Sequence, residues 1–179
     1  MNSTSPAQKQ KKWYAIYTMP KAEVKVSNTL TQMGIETYLP LNEEVVQWSD
    51  RKKRVKRPLF PGYVFVCLAP KEIGRAYGLP GMLRFLATNG VKDVVPDNDI
   101  AQIRLLLGAR PERCACNRWH AGQEVEVKFG PLAGLHGTLI EDRGNHRLIV
   151  QVKSIQQCVL VDVSASHVQL AATAMRSLA

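Results

Sequence analysis

Long apolar runs are missing. No stretch of about eighteen or more apolar residues interrupts the 179-residue chain, so no membrane-spanning helix is expected. Met1 to Lys12 is polar and has no apolar centre, so no secretory signal is expected either. Cysteine is scarce: the four, at positions 67, 114, 116 and 158, do not form a disulfide framework, and the chain reads as cytoplasmic. Cys114-x-Cys116 ahead of His120 has no second cysteine pair nearby. A structural zinc site wants four ligands in suitably spaced pairs, so neither a metal nor another cofactor is expected. His120, His136, His146 and His167 have no Asp, Ser or Cys neighbours arranged for catalysis. No glycine loop follows a strand and opens a helix to cradle phosphate. No enzyme is expected. Acidic residues are also few, 15 against 24 Lys and Arg, which leaves a net charge of +9 and a pI near 9.6. Such a surplus favours anionic partners such as nucleic acid, a nucleoprotein machine or an anionic membrane surface.

What is present is unevenly distributed. Arg51-Lys52-Lys53-Arg54-Val55-Lys56-Arg57 carries six cations in seven residues, and Ser49 to Lys53 reads as a charged hairpin tip between segments 43–48 and 54–59. Arg51, Lys52, Lys53, Arg54, Lys56 and Arg57 are therefore candidates for phosphate contact, with Lys71, Arg75 and Arg84 as weaker ones. Six such contacts would give a log–log salt slope of about −5. The other reading of this run is a solvated hairpin.

The next segment, Pro58-Leu59-Phe60-Pro61-Gly62-Tyr63-Val64-Phe65-Val66-Cys67-Leu68, opens on a proline–glycine break and becomes a strand apolar on both faces. Alternation puts Val64, Val66 and Leu68 on one face and Tyr63, Phe65 and Cys67 on the other. Either the strand is buried twice, or one face is core and the other docks a partner. Phe60 breaks the parity, which a bulge at Pro61-Gly62 could reset.

Trp13 to Thr18 reads as a strand of aromatic and β-branched residues, with Tyr17 at a parity that can match Tyr63 and Phe65. Pro20 suits a first helical turn, and Ala22, Val26, Leu30 and Met33 give an apolar helical stripe that Gly34 ends. Residues 35–40 read as a short strand, 70–78 as a weak helix and 82–87 as a strand. A second helix follows Asp97-Asn98-Asp99, with apolar positions at Ile100, Ile103 and Leu106/Leu107 and a stop at Gly108. Residues 109–119 lack periodicity and read as a linker with a root-mean-square span of roughly 17–20 Å. Beyond it the pattern turns entirely to short β-rich segments separated by glycine turns. The fold class is α+β: a tail at 1–11, an α/β sandwich at 12–108, the linker at 109–119, a five-stranded small β-barrel without helix at 120–170, and a tail at 171–179.

Three pieces line up with one family. Trp13-Tyr14-Ala15-Ile16-Tyr17, the strand from Phe60 to Val66, and Val127-Lys128-Phe129-Gly130-Pro131-Leu132-Ala133-Gly134-Leu135-His136-Gly137-Thr138-Leu139-Ile140 resemble the NusG/Spt5 transcription elongation factors. The first two resemble the amino-terminal NGN domain and the third the KOW motif of an SH3-like carboxy-terminal barrel. Gln47 to Lys53 leading into Pro58-Leu59-Phe60 looks most like the specialised antiterminators of UpxY and RfaH type.

The resemblance implies a non-enzymatic, monomeric factor. Its NGN domain would dock onto the clamp helices of the largest RNA polymerase subunit through Tyr17, Phe60, Pro61, Tyr63 and Phe65. Aromatic anchors of this kind can each contribute about 2 kcal/mol or more. The cationic hairpin would lie near non-template or upstream DNA. The barrel would recruit Rho or a small-subunit ribosomal protein, with Phe129, Leu132 and Leu135 as exposed-loop candidates. Gly130, Gly134 and Gly137 mark tight turns where a Cβ would not fit. Two other readings stand beside this one: a KOW-containing RNA-binding protein of the ribosome, and the housekeeping member of the same family.

Overall fold

The structure is a computed structural model that describes residues 11–47, 51–114, 122–142 and 145–171. The chain divides into two compact units, Met1–Leu39 with Phe60–Asp97, and Pro40–Leu59 with Asn98–Ala179.

The first unit is built on an antiparallel sheet. Its strands are β1 (Lys12–Thr18), β2 (Glu36–Tyr38), β5 (Tyr63–Leu68) and β6 (Met82–Phe85), in the order β2-β5-β1-β6, and β9 (Val94–Val95) also pairs with β1. Helix α1 (Glu23–Gln32) covers one face. Val26 and Leu30 from the expected stripe are buried there with Tyr14, Ile16, Val64, Val66, Leu68 and Phe85. This is the aliphatic side of β5, and the alternation read from sequence assigns it correctly. The helix begins at Glu23, three residues after Pro20, because Lys21 takes a left-handed φ of 64° and Ala22 stands as the N-cap. Gly34, with φ 74°, ends it as expected. The weak helix after Pro70 is a 3-10 turn over Pro70–Ala76. Two short strands, β7 (Ala87–Thr88) and β8 (Val91–Lys92), make a small hairpin after β6.

The second unit contains the ribbon of β3 (Leu41–Gln47) and β4 (Lys52–Pro58), helix α2 (Asp97–Leu107) from Asn98 onward, and a six-stranded sheet. That sheet orders β10 (Glu112–Cys114), β11 (Gln123–Val127), β12 (His136–Asp142), β13 (Asn145–Val152), β14 (Gln157–Asp162) and β15 (Val168–Leu170) as β10-β14-β13-β12-β11-β15. The five strands expected within 120–170 are there, with 3-10 turns at Lys153–Ile155 and Ala165–His167.

The linker reading of 109–119 needs correction, since Glu112–Cys114 pairs with β14 and adds a sixth strand. Arg147 secures it by bridging Glu112 at 2.6 Å and Asp162 at 3.0 Å. This pairing sets Cys114 directly across from Cys158. Cys158 is buried as expected but is disulfide-bonded. The scarcity and spacing of the cysteines lead to the expectation of no disulfide framework, and Cys158 departs from it. Cys67 and Cys114 are free thiols. Cys116 and His120 lie outside the described residues, among which no group of three or more His, Cys, Asp or Glu is placed to hold a metal. No helix among the described residues is long and apolar enough to cross a membrane.

The KOW-like turn explains its own glycines in part. Gly137 lies in β12 rather than in a turn, and a Cβ there would sit 2.3 Å from the Ile149 carbonyl oxygen of the neighbouring strand. The position demands glycine by close backbone approach.

Candidate docking face and cationic ribbon

The second face of the first sheet carries the candidate site. In the antiparallel register Tyr17 stands opposite Tyr63, Ala15 opposite Phe65 and Trp13 opposite Cys67. Directly opposed residues share a face, so Tyr17, Tyr63 and Phe65 do point the same way. On the other side of β1, Tyr17 is also opposite Arg84. Tyr63, Tyr17 and Arg84 thus form one row across β5, β1 and β6.

This row is partly open to solvent. Tyr17 and Tyr63 are half-buried and Arg84 is exposed. The two tyrosine rings meet edge-on with centroids 5.4 Å apart, and the Arg84 guanidinium lies 5.7 Å from the Tyr17 ring centroid. Burial, reinforced by Tyr17, pushes the Tyr63 phenol above its ordinary range, while Arg84 pulls it back. The phenol is therefore neutral in the physiological range and can donate a hydrogen bond.

Two of the expected anchors are not available. Phe65 is 0% exposed and Phe60 1%. Phe65 packs beside Tyr38, ring centroids 6.3 Å apart, in a row with Ala15, which is also sealed. The sequence parity of Phe65 was right and its exposure was not, because parity assigns a side of the sheet without saying what covers it. Phe60 is held in the core by the turn that precedes β5, where Tyr63 N–H donates to the Phe60 carbonyl. Pro61 remains exposed.

The turn itself is clamped. Among the described residues, the buried polar or charged residues are Thr18 and Glu23, and both hold Gly62, Thr18 through its backbone and Glu23 through its side chain. Thr18 N–H donates to the Gly62 carbonyl at 2.8 Å. Gly62 N–H donates to Glu23 Oε1 at 2.7 Å. Gly62 has φ 84°, and a Cβ would lie 3.1 Å from the Tyr17 ring. Glycine is required here both for the left-handed backbone and for the closeness of the ring. Sequence reading missed Glu23. The available signal was an acidic residue in the first turn of a helix, which does not point to a partner 39 residues away.

The ribbon of the second unit carries the cations. Its register sets Glu43 opposite Lys56, Val45 opposite Arg54 and Gln47 opposite Lys52, all exposed on one face. Two candidates have acidic partners: Lys56 bridges Glu43 at 3.5 Å, and Arg57 bridges Glu44 at 3.4 Å. Lys52 and Arg54 have no carboxylate partner among the described residues. Arg51 and Lys53 are exposed. Trp48, at the end of the first flanking segment, and Ser49 and Asp50 of the expected tip lie outside the described residues. Arg75, a weaker candidate, donates to the Met33 carbonyl and pairs with Glu72.

In the KOW-like turn, Phe129 is 61% exposed, whereas Leu132 and Leu135 are buried. Those two leucines are corrected from exposed-loop residues to core. Leu135 N–H donates to the Leu132 carbonyl and Val127 N–H to the Leu135 carbonyl, so the turn folds both side chains beneath itself.

A family model described as transcription termination factor nusG matches residues 11–104. The transcription termination/antitermination protein NusG of Thermus thermophilus is 28% identical over 176 residues, covering 85% of this chain and 95% of that one. The protein of the same description from Deinococcus radiodurans is 29% identical over 156 residues, covering 72% and 82%. A solved structure, "Domain interaction in Thermotoga maritima NusG", superposes with a TM-score of 0.56 at 22% identity, covering 90% of this chain and 97% of that one. At that identity the likeness speaks to the fold alone.

Proposed function

This chain belongs to the NusG family, and on that premise we propose that it is a transcription elongation and antitermination factor that docks on RNA polymerase through the open row of its first sheet. Tyr17, Tyr63 and Pro61 meet the clamp helices of the largest polymerase subunit. Phe60 and Phe65 support that surface from within. The observation that carries the reading is the pair of tyrosines held edge-on and half-exposed beside a clamped glycine turn. Tyrosine and arginine are over-represented among residues that dominate binding energy. The activity is binding, not chemistry, and the site of action is the cytoplasm. The division into a domain at 12–108 and a barrel at 120–170 belongs to the same proposal, with residues 112–114 acting as an extra strand of the barrel.

The cationic ribbon supplies contact to non-template or upstream DNA. Lys52 and Arg54 are its principal residues, since Lys56 and Arg57 already face carboxylates. Duplex binding loses about 0.9 in log–log salt slope per phosphate contact removed, so Lys52→Ala with Arg54→Ala should flatten the slope by about 2. An unchanged slope would assign the ribbon to solvent. Phe129 is the exposed aromatic through which the barrel recruits its partner, Rho or a small-subunit ribosomal protein. The specialised antiterminator reading draws its support from the stretch between Gln47 and Phe60.

The deciding experiment is co-purification with RNA polymerase. The parent chain should bring the polymerase down, and Tyr17→Ala with Tyr63→Ala should abolish it. Binding to ribosomal RNA without polymerase would instead support a ribosomal protein.

A further inference from the structure

We propose that Arg84 is the charged anchor of the docking row, pairing with a carboxylate that the polymerase presents among apolar helix residues. The inference rests on the polymerase-docking reading and adds a chemical requirement for the partner. Three observations on the first sheet carry it.

Arg84 lies in register with Tyr17, which lies in register with Tyr63. Neighbouring strands stand about 4.8 Å apart, so the row spans about 10 Å. That is close to the width of one α-helix with its side chains. A helix laid across the row touches all three residues together.

Arg84, like Arg54 of the ribbon, lacks the carboxylate that three described arginines possess. Arg57, Arg75 and Arg147 each have a carboxylate within 3.4, 3.7 and 2.6 Å respectively. Among the described residues no carboxylate pairs with Arg84, whose contact is the Tyr17 ring at 5.7 Å. A guanidinium held over an aromatic face keeps its five donors pointed outward and loses less freedom on binding than a loose one. Its best complement is a carboxylate taken in a two-pronged bond.

The surroundings favour a polypeptide over a nucleic acid backbone. Leu83, beside Arg84 in β6, is 49% exposed, and Met19, whose N–H donates to the Gly81 carbonyl, is 51% exposed. Arg84 therefore stands in a row with two tyrosines and next in sequence to an exposed leucine, unlike the ribbon, where cation follows cation. A mixed apolar and arginine patch fits the composition of protein interfaces.

The test uses the full chain and core RNA polymerase of the same organism, free of nucleic acid, with affinity measured at low, moderate and high KCl. Arg84→Gln should weaken binding by about thirtyfold or more, the loss seen when one member of a buried charge pair is removed, and should flatten the dependence on KCl. Arg84→Lys should fall between parent and Gln. Because Arg84 is exposed, thermal unfolding of these variants should match the parent. If Arg84→Gln binds as the parent does while Tyr63→Ala does not, docking stands and the Arg84 anchor is overturned. If both variants bind as the parent does, the docking reading falls and this inference with it. A loss that occurs only when nucleic acid is added would give Arg84 a phosphate partner and also overturn the proposal.

Discussion

One sheet face has two ends, and they differ in a single respect. At the Phe65 end, Ala15, Phe65 and Trp13 are all buried. At the Tyr63 end, two strand residues further along, Tyr17 and Tyr63 are half-exposed and Arg84 is exposed. Tyr63 and Phe65 share parity, strand pairing and aromatic character. What separates them is their surroundings: Phe65 packs beside Tyr38, whereas Tyr17 lies against the turn at Pro61-Gly62, which Glu23 and Thr18 hold. The difference teaches that a family motif can be half core and half surface. Within Phe60 to Phe65, Phe60 and Phe65 stabilise the fold, while Pro61 and Tyr63 are left for a partner. The barrel motif divides in the same way, with Leu132 and Leu135 inside and Phe129 outside.

The sharpest way to break this comparison is to truncate a ring at each end. Phe65→Ala should cost about 3–5 kcal/mol of stability, the range for a fully buried aromatic, read from urea unfolding. Tyr63→Ala removes one edge-on ring pair and should cost about 1 kcal/mol. Equal losses at the two positions would mean that the face is not divided.

The clamp is the next target. Glu23→Ala leaves the buried Gly62 N–H without an acceptor and should cost about 1–3 kcal/mol. Glu23→Gln keeps a carbonyl oxygen for that bond and should recover most of the loss. Full stability in Glu23→Ala would show that the turn holds itself.

A smaller effect sharpens the description of the open end. Spectrophotometric titration should find a tyrosine above its ordinary pKa, since burial raises Tyr63 first and Tyr17 second. A raised phenol pKa means the folded state holds its proton longer than the unfolded chain. Its contribution to stability is therefore lost as pH climbs above the ordinary tyrosine range. Tyr17→Phe should lower the Tyr63 value and Arg84→Gln should raise it. Shifts of the opposite sign would remove these residues from its surroundings.

Much of this was legible from local pattern. The stripe Val26 and Leu30, the aliphatic side of β5, the match of Tyr17 to Tyr63 and the five barrel strands all follow from periodicity, which acts between near neighbours. Burial of Phe65 depends on what comes to lie on that side of the sheet, and no periodicity encodes that. Leu132 and Leu135 looked like loop residues because turns are usually polar and outward, whereas this turn folds them beneath itself. The strand at Glu112–Cys114 was hidden by its brevity and by drawing its stability from β14 and from Arg147. Arg84 was obscured by the irregular register between Tyr17 and Thr18, which breaks simple alternation on β6.

Hydroxyl-radical footprinting of the tyrosines, free and bound to RNA polymerase, tests the docking claim most directly. Tyr77 is 51% exposed and packs against Phe85, whose side belongs to the aliphatic core, so it serves as the internal control. Tyr17 and Tyr63 should lose their reactivity in the complex while Tyr77 keeps its own. Unchanged oxidation of Tyr17 and Tyr63 in a saturated complex, or protection of Tyr77 in their place, would contradict the account.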